Sequence, residues 1–266
     1  MTIQEMKEKA LEFGYTNEEI ALYVDVCPEV IDDLFSNPPI LPEPPTLEIL
    51  ELLFSSFHLE SSDSQQASIV REPLNAYTYK KKQGRYTIDD YYNLPEDHRF
   101  ELIDGKLYYM AAPTHKHQLL IGVIHTFLFN HVMKNKGPCL PMLSPTDVQL
   151  DKDIFTMLQP DILILCDRSK LIDRCLYGAP DFVLEVLSPS TRKKDISIKV
   201  PKYMKAGVKE CWLIDPKKKI VLVYTSDAPD TPTIYGFDCK IPVGILNGEC
   251  EIDFQEVYEY VKFLYT

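Results

Sequence analysis

Three charged residues lie in or beside apolar segments of this sequence, and their chemical types suit the binding of a divalent metal ion. Asp161 opens the segment PDILILC and Glu185 lies within DFVLEVL; both segments are rich in branched apolar residues and predict buried strands. A carboxylate in such a strand loses several kcal/mol of hydration unless it is paired or bound to a metal. Lys199 lies in the helical segment that follows. We therefore expect two acids and one amine to meet at the edge of a buried sheet.

These residue types suit the hydrolysis of phosphodiester bonds. Mg²⁺ prefers oxygen ligands and usually takes one or two carboxylates, which leaves room for water and a phosphate. Such an ion polarises the phosphate and lowers the pKa of a bound water, and a nearby lysine orients that water or neutralises the developing charge. A pair of acids alone would also fit a glycosidase. The lysine and the apolar strands favour a metal ion acting on phosphate, Mg²⁺ first and Mn²⁺ as an alternative.

Helical spacing predicts that the lysine faces inwards. Four residues recur at i, i+3, i+4 and i+7 and form one stripe: Ile196, Lys199, Val200 and Tyr203. A lysine on a buried face needs a carboxylate partner. Asp195, four residues earlier, would give an ordinary surface pair worth ~0.3–0.5 kcal/mol. Asp161 and Glu185, across the sheet, are the functional alternative.

Pro201 complicates the direction of this helix. It removes the backbone hydrogen bond to Ser197 and is expected to kink the helix. Such a kink allows a second arrangement, in which Lys202 points inwards in place of Lys199. The spacing alone leaves both arrangements open.

A hairpin is predicted earlier in the chain, at FELIDGKLYY. Asp104-Gly105 is a strong signal for a two-residue turn. Pairing outwards from it sets Glu101 opposite Tyr108, on the same face as Ile103. An acid between bulky neighbours is either part of a site or one half of a salt bridge at the rim.

The longest predicted helix covers residues 115–135. Its histidines include His117, His125 and His131, which lack the i, i+4 repeat of a metal-binding pair. His115 and His117, near its start, could approach a phosphate, although a lone surface histidine is the preferred interpretation.

The N-terminal region, residues 1–60, is predicted to be a small all-helical domain. The segment GYTNEEIALYVDVCPEVIDDLFSNP resembles a helix-turn-helix, but its second helix carries Glu29, Asp32 and Asp33 and no basic residue. Phosphate repulsion would oppose its entry into a DNA groove. We therefore favour an interaction or dimerisation domain over a DNA reader, with a solvated acidic cap as a further alternative. Residues 61–84 are predicted to form a linker.

Charge and composition restrict the function further. The net charge is -12, and residues 1–63, with fourteen acids and two lysines, account for all of it, so the remainder is neutral. Without a basic excess, any affinity for DNA is expected to be weak and non-specific. The sequence shows no apolar run of membrane-spanning length and no signal peptide. Its seven scattered cysteines, without a CxxC pair, predict reduced thiols in the cytoplasm.

Several motifs together resemble the Uma family, a bacterial family described as restriction endonucleases within the PD-(D/E)XK superfamily. They are FELIDG at 100–105, QPD at 159–161, EVLSPST at 185–191 with Asp195, Lys199 and Tyr203 after it, and GVKECWLIDP at 207–216. The resemblance runs from about residue 85 to residue 266. It implies an α/β (α+β) fold, a mixed sheet flanked by helices, a Mg²⁺-dependent nuclease acting on DNA, and a homodimer.

The resemblance also implies a role for individual residues. Asp161 and Glu185 would bind the metal, and we assign Val186 to the metal site with them. Lys199 would be the catalytic lysine and Glu101 an accessory acid. The lysine position of the superfamily motif D/E-x-K is occupied by Leu187, so the lysine must come from the helix instead.

Two functions from different classes follow. The first is a metal-dependent endonuclease behind a small helical domain. The second is a regulatory or protein-interaction protein that retains the nuclease fold without catalysis. The neutral charge of residues 64–266 favours the second, whereas the set of two acids and a lysine favours the first.

Overall fold

The computed structural model describes residues 2–13, 15–17, 20–21, 28–36, 38–42, 47, 50, 81–94, 99–110, 112–188 and 191–265. The chain forms two compact units, Met1–Met110 and Ala111–Thr266. The predicted linker at 61–84 lies mostly outside the described residues. The boundaries 1–60, 61–84 and 85–266 therefore stay predictions.

The first unit begins with two helices, α1 (Ile3–Phe13) and α2 (Pro28–Leu34). Both begin at the residues that the sequence predicts. Apolar residues of this region form a small core of their own: Met6, Ala10, Tyr15, Ile20, Ala21, Ile31, Leu34, Phe35 and Leu50. The helix predicted between them, NEEIALYVD, lies largely outside the described residues, so the helix-turn-helix stays a prediction.

The predicted hairpin is present in the first unit. Its elements are α3 (Ile88–Tyr92), β1 (Phe100–Ile103) and β2 (Lys106–Tyr109). The register pairs Glu101 with Tyr108, as predicted. Asp104 and Gly105 have φ angles of 50° and 75°, which a type I′ turn requires. Glu101 is fully buried, so a salt bridge at an exposed rim is the wrong alternative; its accessory role stays a prediction.

The second unit is built on a six-stranded mixed sheet. Its strands, in spatial order, are β10 (Ala228–Gly236), β9 (Ile220–Thr225), β8 (Glu210–Asp215), β7 (Phe182–Val186), β5 (Ile162–Leu165) and β3 (Leu140–Leu143). Among them β7 and β8 are parallel, and the other neighbours are antiparallel. Two small pairs complete the strands: β4 (Val148–Gln149) with β6 (Leu176–Tyr177), and β11 (Lys240–Pro242) with β12 (Glu251–Asp253).

Helices cover both faces of this sheet. They are α4 (His115–Asn135), α5 (Arg192–Lys194), a π-helical turn (Asp195–Lys199), α6 (Val200–Ala206) and α7 (Phe254–Val261). Leu184 and Val186 of β7 pack in the core with α4 and α7. Alternation along the strand places Glu185 on the other face, towards α6. The predicted mixed sheet flanked by helices is confirmed. In the described part of the chain, no helix combines the length and apolar character needed to cross a bilayer.

One expectation about the cysteines is wrong. A disulfide joins Cys139 and Cys166, which are 27 residues apart. These residues directly flank β3 and β5, whose register pairs Leu140 with Leu165, so folding brings the two thiols opposite each other. Rules based on short sequence spacing cannot detect such a cross-strand pair. Of the other cysteines that the structure describes, Cys175, Cys211, Cys239 and Cys250 form no disulfide.

The hairpin turn provides a test of the first unit. Gly105→Ala is expected to lower the free energy of unfolding because it places a side chain at φ +75° and sets a Cβ 2.8 Å from the Gly84 backbone. The left-handed conformation alone costs ~1–2 kcal/mol, and the contact adds to that. Gly84→Ala is the matched control, since Gly84 has φ +85° but open space around it. Chemical denaturation should show the larger loss for Gly105→Ala; equal losses would contradict the close contact.

Candidate functional site

Asp161, one predicted metal ligand, lies next to the strand that carries the other. Ile162 faces Leu184 across the antiparallel pair of β5 and β7. β5 begins at Ile162, and Asp161 lies in the bend directly before it, where it contacts the main chain of Val186. Because Glu185 directly precedes Val186, the two carboxylates belong to the same end of this strand pair.

Asp161 is held at this position through one of its carboxylate oxygens. Its Oδ2 accepts a hydrogen bond of 2.7 Å from the Val186 N–H and lies 3.1 Å from His117 Nε2. Among the described residues, Oδ1 makes no hydrogen bond or ion pair. The side chain is 14% exposed. One oxygen is therefore fixed by the protein, and the other is available to an ion or water.

His117 is a site residue that the sequence interpretation missed. It was expected to be a surface histidine, yet its side chain is mostly buried and contacts Asp161. Burial by itself lowers the pKa of His117, but the hydrogen bond and charge of Asp161 outweigh it, with help from the Val186 main chain and Asp195, and the pKa is raised above 6.5. No local spacing could reveal this contact, because it joins the first turn of α4 to the bend before β5.

Glu185 and Lys199 form a buried ion pair on the face of β7 that points towards α6. Lys199 Nζ lies 2.6 Å from Glu185 Oε1, with the two side chains 3% and 5% exposed. The Tyr203 hydroxyl donates a 2.7 Å hydrogen bond to the same oxygen. Asp195 Oδ1 lies 3.6 Å from the ammonium group. Lys199 thus contacts Asp195, the local alternative, and Glu185, one of the two alternatives across the sheet, and the contact with Glu185 is the shorter one.

The helix that carries the lysine is not a regular α-helix. The segment from Asp195 to Lys199 is a π-helical turn, which contains one residue more than an α-helical turn. The extra residue changes which side chains face the sheet. Asp195 is buried with Lys199, whereas Ile196, predicted on the buried stripe, is only half-buried. The alternative in which Lys202 points inwards in place of Lys199 is also wrong. Lys199 contacts Glu185, and Lys202 Nζ lies 2.7 Å from Asp151 Oδ2.

A second carboxylate fixes the start of this helix. Asp215, at the end of β8, accepts a 2.7 Å bond from Arg192 Nη1 through Oδ2. Its Oδ1 accepts the N–H groups of Lys217 and Lys218. Burial alone would raise the pKa of Asp215, but the Lys218 N–H and the Arg192 guanidinium lower it below its usual 3.8. The sheet therefore holds the helix at its first residue.

The donors suit a hard divalent ion, although the described residues do not form a finished cage. Asp161 offers Oδ1, and its Oδ2 accepts from the N–H of Val186, the residue directly after Glu185. No group of three or more His, Cys, Asp or Glu side chains in the described ranges is arranged to hold an ion. A site with two carboxylates, completed by main-chain oxygen, water and substrate, is the pattern that Mg²⁺ accepts. Leu187, which occupies the lysine position of the superfamily motif, is a buried apolar residue.

Comparison with known proteins identifies the family and supports the fold. The model of the Uma2 family, described as "Putative restriction endonuclease", matches residues 88–235, more than half of the 266 residues. A crystal structure from Anabaena variabilis, described as "a putative nuclease belonging to DUF820", is similar with a TM-score of 0.56 and 22% identity. That match covers 66% of this chain and 98% of the other, and it supports the fold. No curated protein matches the sequence.

Removal of the ammonium group should reveal how strongly the buried pair is coupled. Lys199→Met is expected to lower the free energy of unfolding by ~3–5 kcal/mol, because it leaves buried carboxylates without their cation. Combining it with Glu185→Gln should cost less than the sum of the two single variants, since residues in contact are coupled. Urea denaturation of the double-mutant cycle measures this. The exposed pair Glu259–Lys262 provides a control cycle that should show no measurable coupling. Additive losses in the buried cycle would contradict the ion pair.

Asp215 gives a pH-dependent test. Because its folded pKa is lowered, its contribution to stability is complete above the unfolded pKa near 3.8 and is lost as the pH falls through the folded pKa. Asp215→Asn should therefore destabilise the protein by ~1–2 kcal/mol at pH 7, and the difference from the unchanged chain should shrink in acid. Thermal unfolding between pH 3 and 7 measures it, with Asp227→Asn, at an exposed turn, as the control. A pH-independent difference would contradict the charged pair.

Proposed function

Because the chain belongs to the Uma2 family of restriction endonucleases, we propose that it is a metal-dependent endonuclease that hydrolyses the phosphodiester bonds of DNA. The observation that supports this most directly is the contact of Lys199 with Glu185. Asp161 accepts a hydrogen bond from the N–H of Val186, the residue after Glu185. Mg²⁺ is the proposed ion, with Mn²⁺ as an alternative.

Each residue has a proposed role that follows from its surroundings. Asp161 would bind the ion through Oδ1, while Glu185 and the main chain of Val186 complete the protein ligands. When bound, the ion would polarise the phosphate and lower the pKa of a water. Lys199 is held by Glu185 and Asp195, so its ammonium is fixed where it can stabilise negative charge or orient that water. Glu101, buried in the first unit, is the proposed accessory acid.

The charge of the chain shapes the expected substrate binding. Residues 64–266 carry no net charge, so non-specific attraction to the DNA backbone should be weak and strongly dependent on salt. We propose that a homodimer compensates for this, since two linked sites raise the effective affinity. The acidic N-terminal region is proposed to mediate interaction with protein, because its charge opposes contact with phosphate.

A non-catalytic role is the second candidate, and the burial of the ion pair favours it. Glu185 and Lys199 are almost inaccessible to solvent, and Glu185 already accepts a hydrogen bond from Tyr203. Such a network can exist to specify the fold alone. In that case the chain would keep the nuclease architecture and act through a binding partner.

A cleavage assay separates these two functions. Supercoiled plasmid, linear duplex and single-stranded RNA are incubated with the full chain in Mg²⁺ or Mn²⁺ at low salt. We expect metal-dependent cleavage of DNA that falls at least ~100-fold in Asp161→Asn and in Glu185→Gln, and ~10²–10³-fold in Lys199→Met. Asp230→Asn, at an exposed position of β10, is the matched control and should cleave normally.

The opposite result is equally informative. If the chain cleaves no nucleic acid and calorimetry detects no Mn²⁺ binding, the catalytic proposal is wrong and the non-catalytic one stands. Cleavage that survives in Asp161→Asn and Glu185→Gln, both shown to be folded, would place the active site elsewhere. Cleavage of RNA alone would retain the metal site and overturn DNA as the substrate.

A further inference from the structure

The inference concerns His117 and rests on the proposed metal site. Its imidazole lies against one proposed ligand and close to a second, since Nε2 is 3.1 Å from Asp161 Oδ2 and the Val186 N–H donates to the same oxygen. The imidazole, the carboxylate and one peptide therefore form a small connected cluster.

Two donors on one oxygen determine how the carboxylate is oriented. A carboxylate with a single hydrogen bond can still rotate about the bond that joins it to Cβ. Here the Val186 N–H and His117 Nε2 both contact Oδ2. The two contacts restrict that rotation and fix the direction of Oδ1. Among the residues that the structure describes, Oδ1 has no partner of its own. The cluster thus presents one oxygen outwards at a defined angle.

The fold holds the imidazole firmly at this position. His117 lies in the first turn of α4, where its main-chain N–H donates a 3.3 Å hydrogen bond to the capping hydroxyl of Thr114. Its other ring nitrogen, Nδ1, is buried and makes no hydrogen bond within the described residues. A buried polar atom without a partner costs ~1–3 kcal/mol. Among the described residues, the contact of Nε2 with Asp161 is therefore the polar contact that accounts for the position of the ring.

We propose that His117 is a positioning residue for the metal site, which fixes Asp161 Oδ2 together with the Val186 N–H and so directs Oδ1 at the ion. Residues that hydrogen-bond a ligating carboxylate orient it, and their loss usually weakens metal binding by ~10–100-fold. The proposed role is distinct from that of a ligand, since the imidazole bonds to the oxygen that faces away from the ion.

Calorimetric titration of the full chain with Mn²⁺ alone tests this without relying on activity. His117→Ala should weaken the binding of Mn²⁺ by ~10–100-fold. His117→Gln should recover most of the affinity, because its side-chain amide carries a donor that can reach Oδ2. His115→Ala is the matched control on the same helical turn, since His115 is exposed, and it should bind Mn²⁺ normally. Thermal unfolding of each variant establishes that it is folded.

The outcomes separate this inference from the proposed function. If Asp161→Asn loses Mn²⁺ binding while His117→Ala and His117→Gln bind as the unchanged chain does, the positioning role is wrong and the metal site stands. Tighter binding by His117→Ala would also overturn it, because the imidazole would then be competing with the ion. If the unchanged chain binds no Mn²⁺, both the inference and the metal dependence fail.

Discussion

The buried contact between Lys199 and Glu185 is the interaction on which the rest of the second unit's site depends. β7 is an interior strand, paired with β5 on one side and β8 on the other, so the backbone of Glu185 cannot shift to bring its carboxylate into water. An unpaired charge at that position would be very costly. A cation from the helical segment packed on this face has to pair with Glu185. Lys199 does so, since its Nζ lies 2.6 Å from Glu185 Oε1. Helix and sheet are thus joined by a charge as well as by apolar packing.

The unusual shape of the helix follows from this requirement. Arg192 fixes its start to Asp215 at the end of β8, and Gly207 ends it with φ +98°. Between these two fixed points, the π-helical turn inserts an extra residue just before Pro201. Single π turns occur often at functional sites, and here the turn directs both Asp195 and Lys199 at the sheet. Lys202 contacts Asp151 instead.

How much of this was predictable depends on the range of the interactions involved. The hairpin register followed from Asp104-Gly105, because a two-residue turn fixes the pairing of the residues beside it. The strands of Asp161 and Glu185 followed from their apolar patterns. Neither His117 nor the Cys139–Cys166 disulfide could be predicted, since each is defined by a contact between segments distant in sequence. The π turn was also missed, because spacing arguments assume 3.6 residues per turn.

The position of the lysine shows why contacts identify this site better than motif spacing does. Residues 185 and 187 point to the same face of a strand, so a lysine at 187 would lie beside the Glu185 carboxylate. Leu187 is buried there instead, and Lys199 brings an ammonium to that carboxylate from the helix. The electrostatic requirement concerns a point in space, and more than one chain position can satisfy it. The absence of a lysine two residues after Glu185 is therefore no argument that the chain is inactive.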